Sequence, residues 1–196
     1  MSSLKKHYTL RLAEVADIPA LRELIELSVR VLQKNEYSVE QIDAALGTVL
    51  GVDTQLIADQ TYYAAVTEWT SGEKRILACG GWSRRKTLYG SDHGPYRESA
   101  LLDPRTDAAR IRAFFVHPEW VRMGIATKIL QTCEQAAIAE GFQRLEMGAT
   151  LTGVPMYLAR GYFVIERIAV PLPGGLTLPV VRMGKTVGTP GERAEF

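Results

Sequence analysis

The sequence predicts one mixed α/β domain, and three observations carry that prediction. Apolar periodicity switches between 2 and about 3.6 residues along the chain. The segments run in the order strand, two helices, several strands, helix, strand, helix, two strands. No internal repeat or linker-like stretch interrupts the 196 residues, a length that buries a sizeable core as a single unit. The domain is expected to span residues 1–185, with 186–196, "TVGTPGERAEF", as a disordered tail.

The opening stretch "HYTLRLAEV" alternates Tyr8, Leu10 and Leu12 with polar neighbours, as a half-buried strand does. Asp17 is placed to cap the following helix, and Pro19 suits a first turn whose N–H groups have no partners. The stripe Ile18, Leu21, Leu24, Ile25, Ser28, Val31 and Leu32 then keeps helical period. A second helix starts in "YSVEQIDAALGTVL": Ser38 and Gln41 have capping-box spacing, and Ile42, Ala45, Leu46 and Val49 continue it. "TYYAAVTEW" and "RILACGGWSRR" read as strands joined by "TSGEK" in a hairpin. Residues 86–108 lack periodicity and hold Gly90, Gly94, Pro95 and Pro104, which marks a long loop, functional or mobile.

"ARIRAFFV" (109–116) is the next strand. Residues 123–140 form an amphipathic helix with Ile125, Ile129, Cys133, Ala136 and Ala137 facing inward, closed by Gly141. "FQRLEMGAT" is a strand, "GVPMYLARG" a short helix, and "YFVIERIAV" and "LTLPVVRMGK" are strands joined through "PLPGG".

The totals narrow the function classes. A net charge of +1 gives no broad footprint for nucleic acid, so any anion site is local. Two cysteines, Cys79 and Cys133, are too few for a disulfide framework and lack metal-ligand spacing, so no metal is expected. No run reaches membrane-spanning length and the start has no apolar signal core, which makes the cytoplasm the default location. "RMGKTVG" near the end is not a phosphate loop, because Pro179 stands where such a loop needs glycine.

The chemistry concentrates at one junction, "FFVHPEWVRMGIATKIL", where a strand turns into a helix. A helix N-terminus presents unpaired N–H groups and the positive end of its dipole. Gly124 and Ala126 keep side chains clear of it, and Arg122 adds a fork of donors suited to phosphate. A plain turn that uses glycine for geometry alone is the competing reading. The junction resembles motif A of the GNAT N-acetyltransferase superfamily, with its strand ending V-H-P and its [Q/R]-x-x-G-x-[G/A] loop. "ATLTGVPMYLARGYFVIER" resembles motif B, a short helix bearing a tyrosine before a Gly-aromatic strand start. Val121 departs from the pattern, since the arginine stands one residue later at Arg122.

The resemblance implies a mostly antiparallel twisted sheet of about seven strands with a V-shaped splay, flanked by about four helices. It implies acetyl-CoA as co-substrate, with Arg122, Met123, Gly124, Ile125, Ala126 and Thr127 at its pyrophosphate and Thr152 as a further contact or a helix cap. Main-chain groups at Phe115 and Val116 would face the thioester, and Tyr157 would protonate the departing thiolate. Strand alternation places Arg110, Arg112, Phe114 and Val116 on one face, which leaves no carboxylate on that strand as a base. Glu146 is one substitute, with an ion pair to Arg110 or Arg112 as the alternative. Asp92, His93 and Asp103 are others, and a water chain needs none. His117 reads as structural. If Arg110, Arg112 and His93 line the acceptor cleft, they favour an amine that carries a carboxylate or phosphate.

The function expected is acetyl transfer to a primary amine of a small molecule. A non-catalytic acyl-CoA-binding module and a protein-lysine acetyltransferase are the alternatives. A homodimer would be in keeping with the resemblance.

Overall fold

A computed structural model describes residues 7–68, 74–94 and 97–187. The hairpin turn expected around Gly72, and residues 188–196 of the expected tail, lie outside the described residues. β1 (Thr9–Leu12), β2 (Tyr62–Glu68), β3 (Lys74–Ser83), β4 (Ala109–Val116), β5 (Arg144–Thr150), β6 (Phe163–Pro171) and β7 (Thr177–Thr186) form one seven-stranded sheet in the order β1-β2-β3-β4-β5-β7-β6. Every pairing is antiparallel except β4 with β5, which is parallel.

That exception makes the site. β4 and β5 pair only at Ala109↔Leu145 and Arg110↔Glu146, yet β4 runs on to Val116 and β5 to Thr150. Beyond residues 110 and 146 the strands part and a V opens in the middle of the sheet.

Helices cover both faces. α1 (Ile18–Leu32), α2 (Val39–Ala45) and α3 (Thr54–Ala58) pack Leu21, Ile25, Val29, Ile42 and Leu56 with Phe115 and Cys79 on one face. α4 (Ile125–Ala139) and α5 (Val154–Leu158) pack Ile125, Ile129, Cys133 and Tyr157 with Ile111, Met147 and Met183 on the other.

Several local expectations shift. Asp17 makes no cap bond; its carboxylate pairs with Arg11 and accepts the Glu14 amide in a turn before α1. Ser38 and Gln41 do form the capping box, but α2 ends at Ala45 because Leu46 turns extended and Gly47 follows at φ 78°. Val31 is 40% exposed, and Val29 is the buried member of its turn. α3 went unread, although Asp53 caps it by accepting the Gln55 amide. β7 reaches Thr186 and Val187 is buried, its amide on the Gln143 carbonyl, so the ordered chain passes the expected boundary by two residues.

Candidate active site

The junction after β4 builds one end of the site. His117 accepts the Glu119 amide on Nδ1 and starts the turn Pro118–Trp120, the structural role expected of it. Arg122 (φ 60°) and Gly124 (φ 78°) are both left-handed, which turns the chain sharply into α4. For Gly124 that conformation is free of Cβ strain. The first ladder bond of α4 runs from the Lys128 amide to the Gly124 carbonyl, so the amides of Ile125, Ala126 and Thr127 remain available to an anion. No acidic residue stands in the first turn of the helix.

A cleft of about 580 Å³ runs from this turn to the open V, past Arg122, Gly124, Ala126, Thr127, Thr152 and Tyr157. Val121, at the departing motif position, is half-exposed on its wall. Met123 is not among the lining residues; its side chain is 45% exposed. Thr152 lines the cleft and caps nothing, since α5 starts from Gly153 without a side-chain bond.

A second, smaller cavity of about 70 Å³ opens on the opposite face of the V, between Leu50, Tyr89, Arg112, Gly148 and Val180. The two spaces share Phe114, Phe115, Thr150 and Tyr157 as walls, so they adjoin across the V. Tyr37 ties the end of β5 to β7 on one side of this opening. Its hydroxyl accepts the Leu151 amide and donates to the Pro179 carbonyl, each at 2.8 Å.

Tyr157 is buried, edge-on to Phe114 and Tyr162, and its hydroxyl makes no hydrogen bond among the described residues. Burial, with the Cys133 thiol nearby, pushes its pKa well above the usual 10. The phenol therefore keeps its proton throughout the physiological range and is available as a donor.

The main chain of β4 does not follow simple alternation. Cys79 pairs with Phe115 and Gly81 with Arg112, so Ala113 and Phe114 together oppose Gly80 in a bulge, with Ala113 at φ 55°. The extra residue resets side-chain parity. Phe114 and Val116 share the α4 face with Ile111, whereas Phe115 shares the α1 face with Arg112, which corrects the expected grouping. The His117 amide bonds the Leu77 carbonyl of β3, and the Val116 amide turns the other way to the Ser28 hydroxyl. Alternation of main-chain direction then aims Phe115 at β3 and Phe114 into the V. The Phe114 amide, not singled out from sequence, faces the V where that of Phe115 was expected, and the Val116 amide already has a partner.

The charged candidates are engaged elsewhere. Arg110 donates to Glu146 at 2.6 Å, and the same carboxylate oxygen accepts two bonds from Arg182. Glu146 thus sits at the closed end of the V in an ion-pair network, a poor position for a base. Arg112 is 4% exposed and spends its guanidinium on Asp53 (2.8 Å) and on the carbonyls of Thr87 and Gly90. Burial pulls its pKa down, Asp53 opposes this, and the guanidinium stays charged. The 86–108 segment, expected to be mobile or functional, is held from both sides: Arg97 adds bonds to Ser91 and Asp53, and Thr87 pairs with Glu98. His93 is exposed on the rim of a neighbouring hollow with Arg22, Glu26 and Asp92, and the structure does not bring it into the smaller cavity. Asp103 pairs with Arg105. No Asp, Glu or His is among the described residues that line the smaller cavity.

Comparison with known proteins fits this geometry. The profile of the acetyltransferase (GNAT) family matches residues 35–162. The chain belongs to the GNAT acetyltransferase family. Solved structures share the fold at low identity. A GCN5-related N-acetyltransferase from Rhodopseudomonas palustris is 20% identical over 95% of this chain and 100% of its own, with a TM-score of 0.65. The PaiA N-acetyltransferase from Thermoplasma acidophilum, solved with coenzyme A, is 12% identical over 92% and 99%, at 0.61. The ribosomal-protein-S18-alanine N-acetyltransferase from Escherichia coli is 12% identical over 97% and 100%, at 0.55. No curated protein sequence matches the chain. Among the described residues of this GNAT protein, no group of three or more His, Cys, Asp or Glu is placed to hold a metal ion, and no helix is long and apolar enough to cross a membrane.

Proposed function

We propose that this GNAT protein is an acetyl-CoA-dependent N-acetyltransferase that moves the acetyl group directly to a primary amine of a small molecule. The observation that carries the reading is that the two cavities adjoin across the V, with Tyr157 on the wall of both. The larger cleft suits acetyl-CoA: the α4 amides and Arg122 hold its phosphates, and the open edge of β4 receives its pantetheine arm. The Phe114 amide faces the position of the thioester carbonyl, where negative charge develops during attack.

The smaller cavity takes the amine. Its volume of about 70 Å³ gives room for roughly five water-sized centres, and its walls are mainly aliphatic and aromatic. Because Arg110 and Arg112 are already paired, the walls offer no free cation to an acidic acceptor, and the earlier expectation of one loses its support. With no Asp, Glu or His on the wall among the described residues, the amine proton leaves through water. Tyr157 then gives the departing thiolate a hydrogen bond or its proton. Burial raises the pKa of the phenol, so it carries the proton it donates.

Release of CoA thiol with a panel of amines, for wild type beside Tyr157→Phe, tests this. The expected result is turnover with one class of small amine, cut at least about tenfold in the variant with CoA affinity unchanged. The rate constant kcat/KM for the amine should climb with pH at unit slope toward the amine's own pKa. A plateau set by a group titrating between about pH 5 and 8 would refute the base-free route. The ion-paired state of Glu146 favours one second reading, an acyl-CoA-binding module. Stabilisation by acetyl-CoA with no turnover on small amines or peptides would support it.

A further inference from the structure

The bulge that aims Phe114 needs a reason to exist. Ala113 is a non-glycine residue in the left-handed region, a conformation that persists only where neighbouring structure enforces it. The turn also takes the Ala113 carbonyl out of the strand ladder and points it into the core below β4, where an unpaired carbonyl is costly.

A donor comes from two strands away. Tyr62 lies on β2, is fully buried, and donates its hydroxyl to the Ala113 carbonyl at 3.2 Å and to Cys79 Sγ at 3.1 Å, one proton shared between two acceptors. The Cys79 thiol donates a second, weaker bond to the same carbonyl at 3.8 Å. To get there the ring crosses beneath β3, and the pair Gly80–Gly81 makes the crossing possible. A Cβ on Gly81 would meet the Tyr62 ring at 2.9 Å, and one on Gly80 would meet the Phe114 ring at 2.8 Å. Adjacent residues of a strand face opposite sides. One glycine therefore admits the tyrosine from below, and the other seats the phenylalanine above. The Phe114 ring then reaches Tyr157, with centroids 6.3 Å apart.

We propose that Tyr62 is a positioning residue for acyl transfer: its hydroxyl pins the Ala113 bulge and thereby holds the Phe114 amide toward the open V. The proposal rests on the acetyltransferase reading for its kinetic consequence and on the geometry alone for its structural one. Tyr62 touches neither co-substrate nor acceptor, being absent from the lining of both cavities.

The test compares wild type with Tyr62→Phe, which removes one oxygen and keeps the ring. Loss of a whole oxyanion donor costs about 10²–10³ in kcat, so a misaimed one should cost about tenfold. The KM for acetyl-CoA and the affinity for CoA should hold within about twofold, because the phosphate end on α4 is untouched. Amide hydrogen exchange at Phe115, whose amide faces β3 next to the bulge, should speed up while exchange at Ile129 in α4 stays slow. A lower melting temperature with kcat intact would overturn the proposal, since the hydroxyl would then be structural only. So would a joint fall of kcat and CoA affinity with faster exchange across the whole sheet. If wild type transfers to no amine, the functional reading fails by itself. The exchange rate at Phe115 then decides Tyr62, and no change there overturns it.

Discussion

Replacing Asp53 by alanine probes the part of the fold that shapes the amine side of the site. The Asp53 and Arg112 side chains are 2% and 3% exposed and meet at 2.8 Å, so neither charge has water to fall back on. Asp53 also accepts the Gln55 amide at the start of α3 and a bond from Arg97. Breaking a buried pair from one side costs about 3–5 kcal/mol, because the partner stays buried with its charge uncompensated. Loss of the helix cap adds about 0.5–2 kcal/mol, with overlap between the two. A total near 4 kcal/mol lowers the melting temperature by about 8–16 °C in a chain of this size. Thermal unfolding followed by circular dichroism measures it. The decisive arm is the double variant Asp53→Ala/Arg112→Met, which removes the stranded charge and should recover part of the loss. Recovery stays partial because the Thr87 and Gly90 carbonyls lose their donor. A fall under about 4 °C in the single variant, or a further fall in the double, would refute the reasoning.

Two shorter predictions follow from the other end of the site. Gly124→Asn and Gly124→Asp both accept a left-handed backbone tolerably, and no atom lies within 4 Å of the added Cβ. The aspartate alone puts negative charge at the α4 N-terminus, so CoA affinity by calorimetry should drop at least about tenfold more for Asp than for Asn; equal effects would remove the anion site. Burial pushes the Cys79 thiol up to about 12 and Cys133 well above its usual range. Both stay protonated and unreactive in the folded state at pH 8, so a thiol reagent should label neither until denaturant is added.

Much of this could be read from local pattern. The presence of β1, though not its alternation (Leu12 is exposed), the apolar stripe of α4 and the Ser38–Gln41 box each depend on residues within a few positions of one another, and so does the bare N-terminus at Gly124. Their geometry is set by backbone periods that act along the chain. The departures have a different origin. Whether Arg112 faces a cleft or an acid depended on Asp53, 59 residues away, reaching it across the fold. The identity of the amide in the V depended on the Ala113 bulge, which exists only relative to the register of β3 and the hydroxyl of Tyr62. A one-residue slip against a neighbouring strand reverses every side chain beyond it, and a single strand's sequence contains no record of its neighbour. Sequence alone therefore placed the left-handed turn into α4, and tertiary structure aimed the Phe114 amide, not that of Phe115, into the V and paired the arginines away.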